Sequence, residues 1–143
     1  MRHHIKKTAN KARIAIHLLH PVFASRLPLK TKIGVYKTYV RPILTYATPA
    51  WYSLAGENNR KTLRAQQSKA LRQITQAPRF VRNRTIERDL RIETLDEAIK
   101  DQAIRAYART ETALHPHIRD IAPWHARPPD RLALPRDILL GNQ

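Results

Sequence analysis

The chain has 143 residues and a formal net charge of +16, a length that suits one domain burying roughly 68–70% of the surface its unfolded form exposes. It contains no cysteine and only three glycines, which excludes disulfides, thiolate zinc sites and cysteine nucleophiles and argues against hairpin-rich architecture, so the expected class is all-α. No apolar run reaches about eighteen residues and no signal-peptide hydrophobic stretch is present, so the expectation is an intracellular protein, nuclear or cytoplasmic, without a membrane partner.

In chain order, Ile5, Ala9, Ala12, Ile16 and Leu19 recur at steps of four and three, the stripe of an amphipathic helix that Pro21 ends. After Pro28 a second helix is expected to bury Leu29, Ile33, Tyr36 and Val40; Pro42 lacks an amide donor and should break or kink it, with Ile43, Ala47 and Trp51 continuing the apolar side. Gly56-Glu57-Asn58-Asn59 reads as a turn, followed by a long helix over roughly 59–77 with Leu63, Gln67, Ala70, Ile74 and Ala77 on its inner stripe. Residues 79–93 read as an irregular basic connection holding one short helix near Thr85–Leu90. Thr94 and Glu97 then have capping-box spacing ahead of a helix to about Leu114, stopped by His115-Pro116. The tail contains Pro123, Pro128, Pro129 and Pro135 with few large apolar residues, so 1–121 is expected to be the helical domain and 122–143 an extended or disordered tail.

Charge is distributed unevenly. Residues 1–91 carry 20 Lys+Arg against 3 Asp+Glu, while 92–143 carry 7 against 8, so the field that attracts a polyanion, nucleic acid before any other, arises from the first part. Lys30, Lys37 and Arg41 share a helix face with Gly34 between them, Lys61, Arg64 and Arg72 form a second stripe, and Arg79, Arg82, Arg84, Arg88 and Arg91 line the connection. These cations, Arg91 excepted, are the candidate nucleic-acid-binding residues, since guanidinium and ammonium groups suit phosphate. Arg72 reads as a surface cation whose removal should cost folding no more than about 0.5 kcal/mol. Tyr36 and Trp51 are expected in the core, whereas Tyr39 and Tyr46 fit either core or a stacking platform.

Catalytic constellations are missing from the pattern. The one adjacent acid pair, Asp96-Glu97, falls in a helix first turn, where it serves the cap and the helix dipole. His17 with His20, and His115 with His117, offer two nitrogens each without a completing Cys or carboxylate cluster, so no metal or other cofactor is expected. Three scattered glycines build no phosphate-cradling loop.

Several stretches together resemble a known family. They are Tyr36-Lys37, Arg41-Pro42-Ile43-Leu44-Thr45-Tyr46-Ala47 with Trp51, Gln67-x-Lys69-x-Leu71-Arg72, Ala77-Pro78-Arg79-Phe80-Val81-Arg82-Asn83, Thr85-Ile86 with Asp89-Leu90, and Pro135-Arg136-Asp137-Ile138-Leu139. In this order and spacing they resemble the region after the palm of jockey-type non-LTR retrotransposon reverse transcriptases. Ala50 before Trp51 and Arg79, where many relatives carry Trp, depart from the pattern. The resemblance implies a thumb-like bundle of about four main helices plus a C-terminal extension, gripping template-primer, RNA or RNA/DNA duplex, beside the palm and fingers of an RNA-directed DNA polymerase. It carries over no catalytic residue, because the Tyr/Phe-x-Asp-Asp turn that holds the magnesium ions is absent. The chain by itself is therefore expected not to be an enzyme, and magnesium belongs to the parent polymerase alone. His4-Ile5 corresponds to a pair shortly after the palm, so Met1 is expected to lie within the first post-palm helix. The alternatives are a stand-alone basic RNA-binding module and a non-functional remnant of a mobile element.

Overall fold

Few glycines and long stretches of helix-forming residues produce helices, and the described residues contain no strand. The computed structural model describes residues 1–120 and 134–140. Along the chain run α1 (Arg2–Leu18), α2 (His20–Phe23), α3 (Leu29–Val35), a π-helical turn (Tyr36–Val40), α4 (Arg41–Thr45), α5 (Thr48–Trp51), a 3-10 turn (Tyr52–Leu54), α6 (Glu57–Thr75), α7 (Asn83–Leu90), α8 (Leu95–Glu111), α9 (Pro116–Arg119) and a 3-10 helix (Pro135–Leu140). The all-α class follows the sequence. The described residues group into two compact units, Met1–Tyr46 with Gly56–Leu95, and Ala47–Ala55 with the described residues from Asp96 onward.

In the first unit α1 packs on α6 and α4, while α2, α3 and α7 also pack on α6. The inner stripe of α1 is Ile5, Ala9, Ala12 and Ile16, joined by Thr8. That of α6 is Leu63, Gln67, Ala70 and Ile74, joined by Gln66 and Leu71. Phe23, Tyr36, Val40, Leu44 and Leu63 are fully buried. Pro21 enters the first turn of α2, the place where its missing amide costs nothing.

Pro42 does not end the second helix. The Arg41 amide donates to the Tyr36 carbonyl, five residues back, and this wider winding precedes a proline that has no amide to give to the ladder. The buried side then runs Lys32, Tyr36, Val40, Leu44, always four residues apart. In a pure α-helix that series would drift around the axis by about 40° per step; the π turn cancels much of the drift. Leu29, in the first turn of α3, is exposed instead of buried. Ala47 leaves the stripe because the chain turns away at Tyr46, and it takes a left-handed φ of 53°.

Gly56 stands extended before α6, which begins at Glu57 and ends at Thr75, two residues earlier at each end than the sequence indicates. Gln76 follows with a φ of 55°, and Arg91 closes α7 with a φ of 52°. Helix α8 begins directly after Thr94, as its capping-box spacing requires.

The second unit is built on Trp51, Tyr52 and Ala55 from one segment and Ala98, Ile99, Ala103 and Tyr107 from α8, all buried. Trp51 and Tyr52 meet edge to face with ring centroids 6.0 Å apart. The Tyr52 hydroxyl donates to the Asp96 carboxylate, and that of Tyr107 donates to the Pro49 carbonyl at 3.1 Å. Part of the tail expected to be extended is folded here: Pro135–Leu140 is a 3-10 helix. Ser53 Oγ donates to the Leu134 carbonyl at 2.8 Å, and Arg136 lies over the Tyr107 ring at 5.6 Å and pairs with Glu111 at 3.2 Å. These contacts supply what the proline-rich composition does not. Pro123, Pro128 and Pro129 lie outside the described residues.

Candidate nucleic-acid interface

The candidate cations separate into those turned inward to polar partners and those left in solvent. Arg41 is turned inward. Its side chain is only 13% exposed, its Nη1 donates to Glu93 Oε1 at 2.6 Å, and its guanidinium carbon stands 5.5 Å from the centre of the Tyr36 ring. Tyr36 in turn donates to Gln67 Oε1 at 2.6 Å. Gln67 passes the network on through Nε2, 3.3 Å from both Glu87 Oε1 and the Glu93 carbonyl. Burial pushes the Tyr36 phenol up to about 12 although the nearby Arg41 charge opposes it, so the hydroxyl keeps its proton and acts as a donor. Burial also works to raise Glu93, but its own backbone amide and Arg41 prevail and hold its carboxyl below the ordinary value.

Arg72 is a second inward-turned cation. From α6 its Nη1 donates to the Pro78 carbonyl at 3.0 Å, its Nη2 to the Val81 carbonyl, and its Nε and Nη2 to Asn83 Oδ1 at 3.1 and 2.8 Å. This corrects the expectation of a dispensable surface charge. Arg72 holds the 78–83 connection against α6, and Val81 N–H donates to the Pro78 carbonyl at 3.1 Å to close a turn with Arg79 and Phe80 at its centre. Arg64 is paired with Glu57 at 2.6 Å, and that guanidinium hydrogen bond keeps the Glu57 carboxyl below its ordinary value.

The remaining candidates are in solvent. Lys30, Lys61, Arg79, Arg82 and Arg84 are exposed, as is Arg91. Lys37 reaches Glu93 only at 4.0 Å, and Arg88 stands 3.4 Å from its neighbour Asp89 while 77% exposed. Gly34 is exposed on α3, where an added Cβ would meet nothing within 4 Å. Among the aromatics, Tyr36 and Trp51 are core as expected, whereas Tyr39 and Tyr46 are 62% and 75% exposed. Sequence reasoning passed over Phe80 except as part of a motif, yet it is 85% exposed. Its signal was available: an aromatic after Pro78-Arg79, followed by two further arginines within four residues.

Among the described residues no group of three or more His, Cys, Asp or Glu side chains comes together to hold a metal ion. The rings of His115 and His117 stack at 5.5 Å. Asp96, half of the adjacent acid pair, receives the Tyr52 hydroxyl in the first turn of α8. Among the described residues no helix is long and apolar enough to cross a membrane.

Comparison with known proteins agrees with the motif order. The chain is 33% identical over 135 residues to the Drosophila melanogaster protein named "Probable RNA-directed DNA polymerase from transposon X-element", covering 93% of this chain and 14% of that protein. It is 32% identical over 118 residues to the RNA-directed DNA polymerase from mobile element jockey of Drosophila funebris, covering 81% and 13%. The jockey polymerase of Drosophila melanogaster matches at 32% over 65% of this chain and 10% of its own length. The chain thus spans about one seventh or less of these relatives. No family model and no solved structure matches it. Sequence motifs and relatives agree that the chain belongs to the RNA-directed DNA polymerases of jockey-type non-LTR retrotransposons, of which it represents one segment.

Proposed function

We propose that the chain is the thumb-like grip of such a polymerase, holding template-primer as RNA or RNA/DNA duplex without catalysis of its own. The observation that carries this reading is the 78–83 connection. Its backbone is fixed by Arg72 while Arg79, Arg82 and Arg84 stand exposed upon it, so guanidiniums are offered to phosphates from a rigid base. Lys30, Lys37, Lys61 and Arg88 add to the grip, and Arg41, Arg64 and Arg72 hold the frame that presents them. Contacts of this kind meet sugar and phosphate in preference to base edges, giving affinity with little sequence preference. Palm and fingers of the full-length polymerase, inside the cell, would supply the magnesium-dependent chemistry.

A salt series tests this. With about five phosphates engaged, log affinity against log salt concentration should fall with a slope of roughly −3.5 to −4.5, and the isolated chain should extend no primer. A shallow slope combined with strong discrimination between sequences would remove the grip reading.

A further inference from the structure

We propose that Phe80 is a base-stacking residue: its ring packs on the face of an unpaired nucleobase while Arg79, Arg82 and Arg84 take the phosphates beside it. The inference rests on the nucleic-acid reading above and adds to it a contact with a base, which phosphate contacts alone do not provide.

Three observations converge on this ring. Phe80 is 85% exposed, although the hydrophobic effect favours folding a phenyl group back onto the protein. The backbone leaves it little freedom to do so. Phe80 occupies the centre of the turn closed by Val81 N–H on the Pro78 carbonyl, and the Arg72 guanidinium binds the carbonyls of Pro78 and Val81, one on each side of it. The ring is therefore presented to solvent by a braced turn, and the entropy of ordering that backbone is met during folding instead of at binding. The charged residues near it in the chain are of one sign. Arg79, Arg82 and Arg84 are exposed within four residues of it, and no carboxylate appears in the sequence between Glu57 and Glu87.

A flat apolar face among cations matches a ligand that alternates flat rings with anionic links. That is single-stranded nucleic acid, where every base has a π-face and stacking tolerates any sequence. A protein partner would be selected by a shaped apolar pocket around the ring, whereas Arg79, Arg82 and Arg84 near Phe80 in the chain are charged and exposed.

The test uses the full 143-residue chain, an RNA/DNA duplex with a short single-stranded overhang carrying 2-aminopurine, and a blunt duplex of the same length. Removing one base stack should weaken overhang binding by roughly 5- to 150-fold in Phe80→Ala. The salt slope should stay unchanged, because a phenyl group releases no counterions, and Phe80→Trp should retain affinity and quench the 2-aminopurine emission. Blunt duplex should be affected less than overhang. If the wild type binds and Phe80→Ala binds overhang equally well, stacking is wrong while the phosphate grip stands. If Phe80→Ala loses both ligands equally, the ring serves shape and not bases, which also overturns the proposal. If the wild type binds no nucleic acid at all, both readings fail together. Because Phe80 is so exposed, thermal unfolding of the variant should match wild type, which keeps the binding comparison clean.

Discussion

The two units carry opposite electrostatic characters on similar helical scaffolding. The first, Met1–Tyr46 with Gly56–Leu95, holds 20 Lys+Arg and 4 Asp+Glu, whereas the described residues of the second hold 5 and 6. In the second unit the polar groups close on one another: Tyr52 on Asp96, Tyr107 on Pro49, Arg136 on Glu111. In the first there are too few carboxylates for such closure, and the cations divide between frame and solvent. Balanced charge makes a unit that satisfies itself. Unbalanced charge leaves groups for a ligand to satisfy.

The largest effect expected from this contrast is in the balanced unit. Trp51 is 8% exposed, so Trp51→Ala should cost about 3–5 kcal/mol of stability in urea unfolding, a large part of the about 5–15 kcal/mol usual for a domain. A loss below about 1 kcal/mol would mean that the ring is not packed as described.

Arg72 sharpens the division within the basic unit. Its guanidinium serves two carbonyls and Asn83, so Arg72→Ala should cost about 1–2 kcal/mol and speed tryptic cleavage at Arg79 and Arg82. Stability within about 0.5 kcal/mol of wild type, with unchanged proteolysis, would return Arg72 to the solvent-facing class.

Glu93 should give the smallest effect. Its folded pKa lies below the ordinary value of 4.5, so its contribution is fully present above that value and is lost as pH falls through the folded pKa. The group is 40% exposed, and solvent screening keeps the contribution small. Melting temperature should therefore fall on acidification below about pH 4.5, and Glu93→Gln should flatten that part of the curve. An identical acid limb in both proteins would show that Arg41 gains nothing from the carboxylate charge.

Periodicity made the inner stripes of α1 and α6 readable because a helix needs only local spacing to choose its buried side. Gln67 was placed on that stripe by spacing, but its partner Tyr36 is 31 residues away, and Arg41 meets Glu93 52 residues away. Such pairings depend on how helices pack, which spacing does not encode. For the same reason the sequence identified Arg41, Arg72 and Arg82 alike as cations but could not distinguish frame from free surface. The π turn was hidden because Pro42 announces a disturbance without stating how the ladder absorbs it. The 3-10 helix at Pro135–Leu140 was hidden because it depends on Ser53 and Tyr107, far back in the chain.

The scarcity of glycine also has a conformational consequence. Ala47, Gln76 and Arg91 occupy left-handed backbone at bends beside α5, α6 and α7, positions that glycine fills without steric conflict. Side-chain-bearing residues there cost about 1–2 kcal/mol each, or about 3–6 kcal/mol together. Glycine there would give back about 0.5–1 kcal/mol each in unfolded-chain entropy, so the reserve of unclaimed stability is about 0–1.5 kcal/mol per bend.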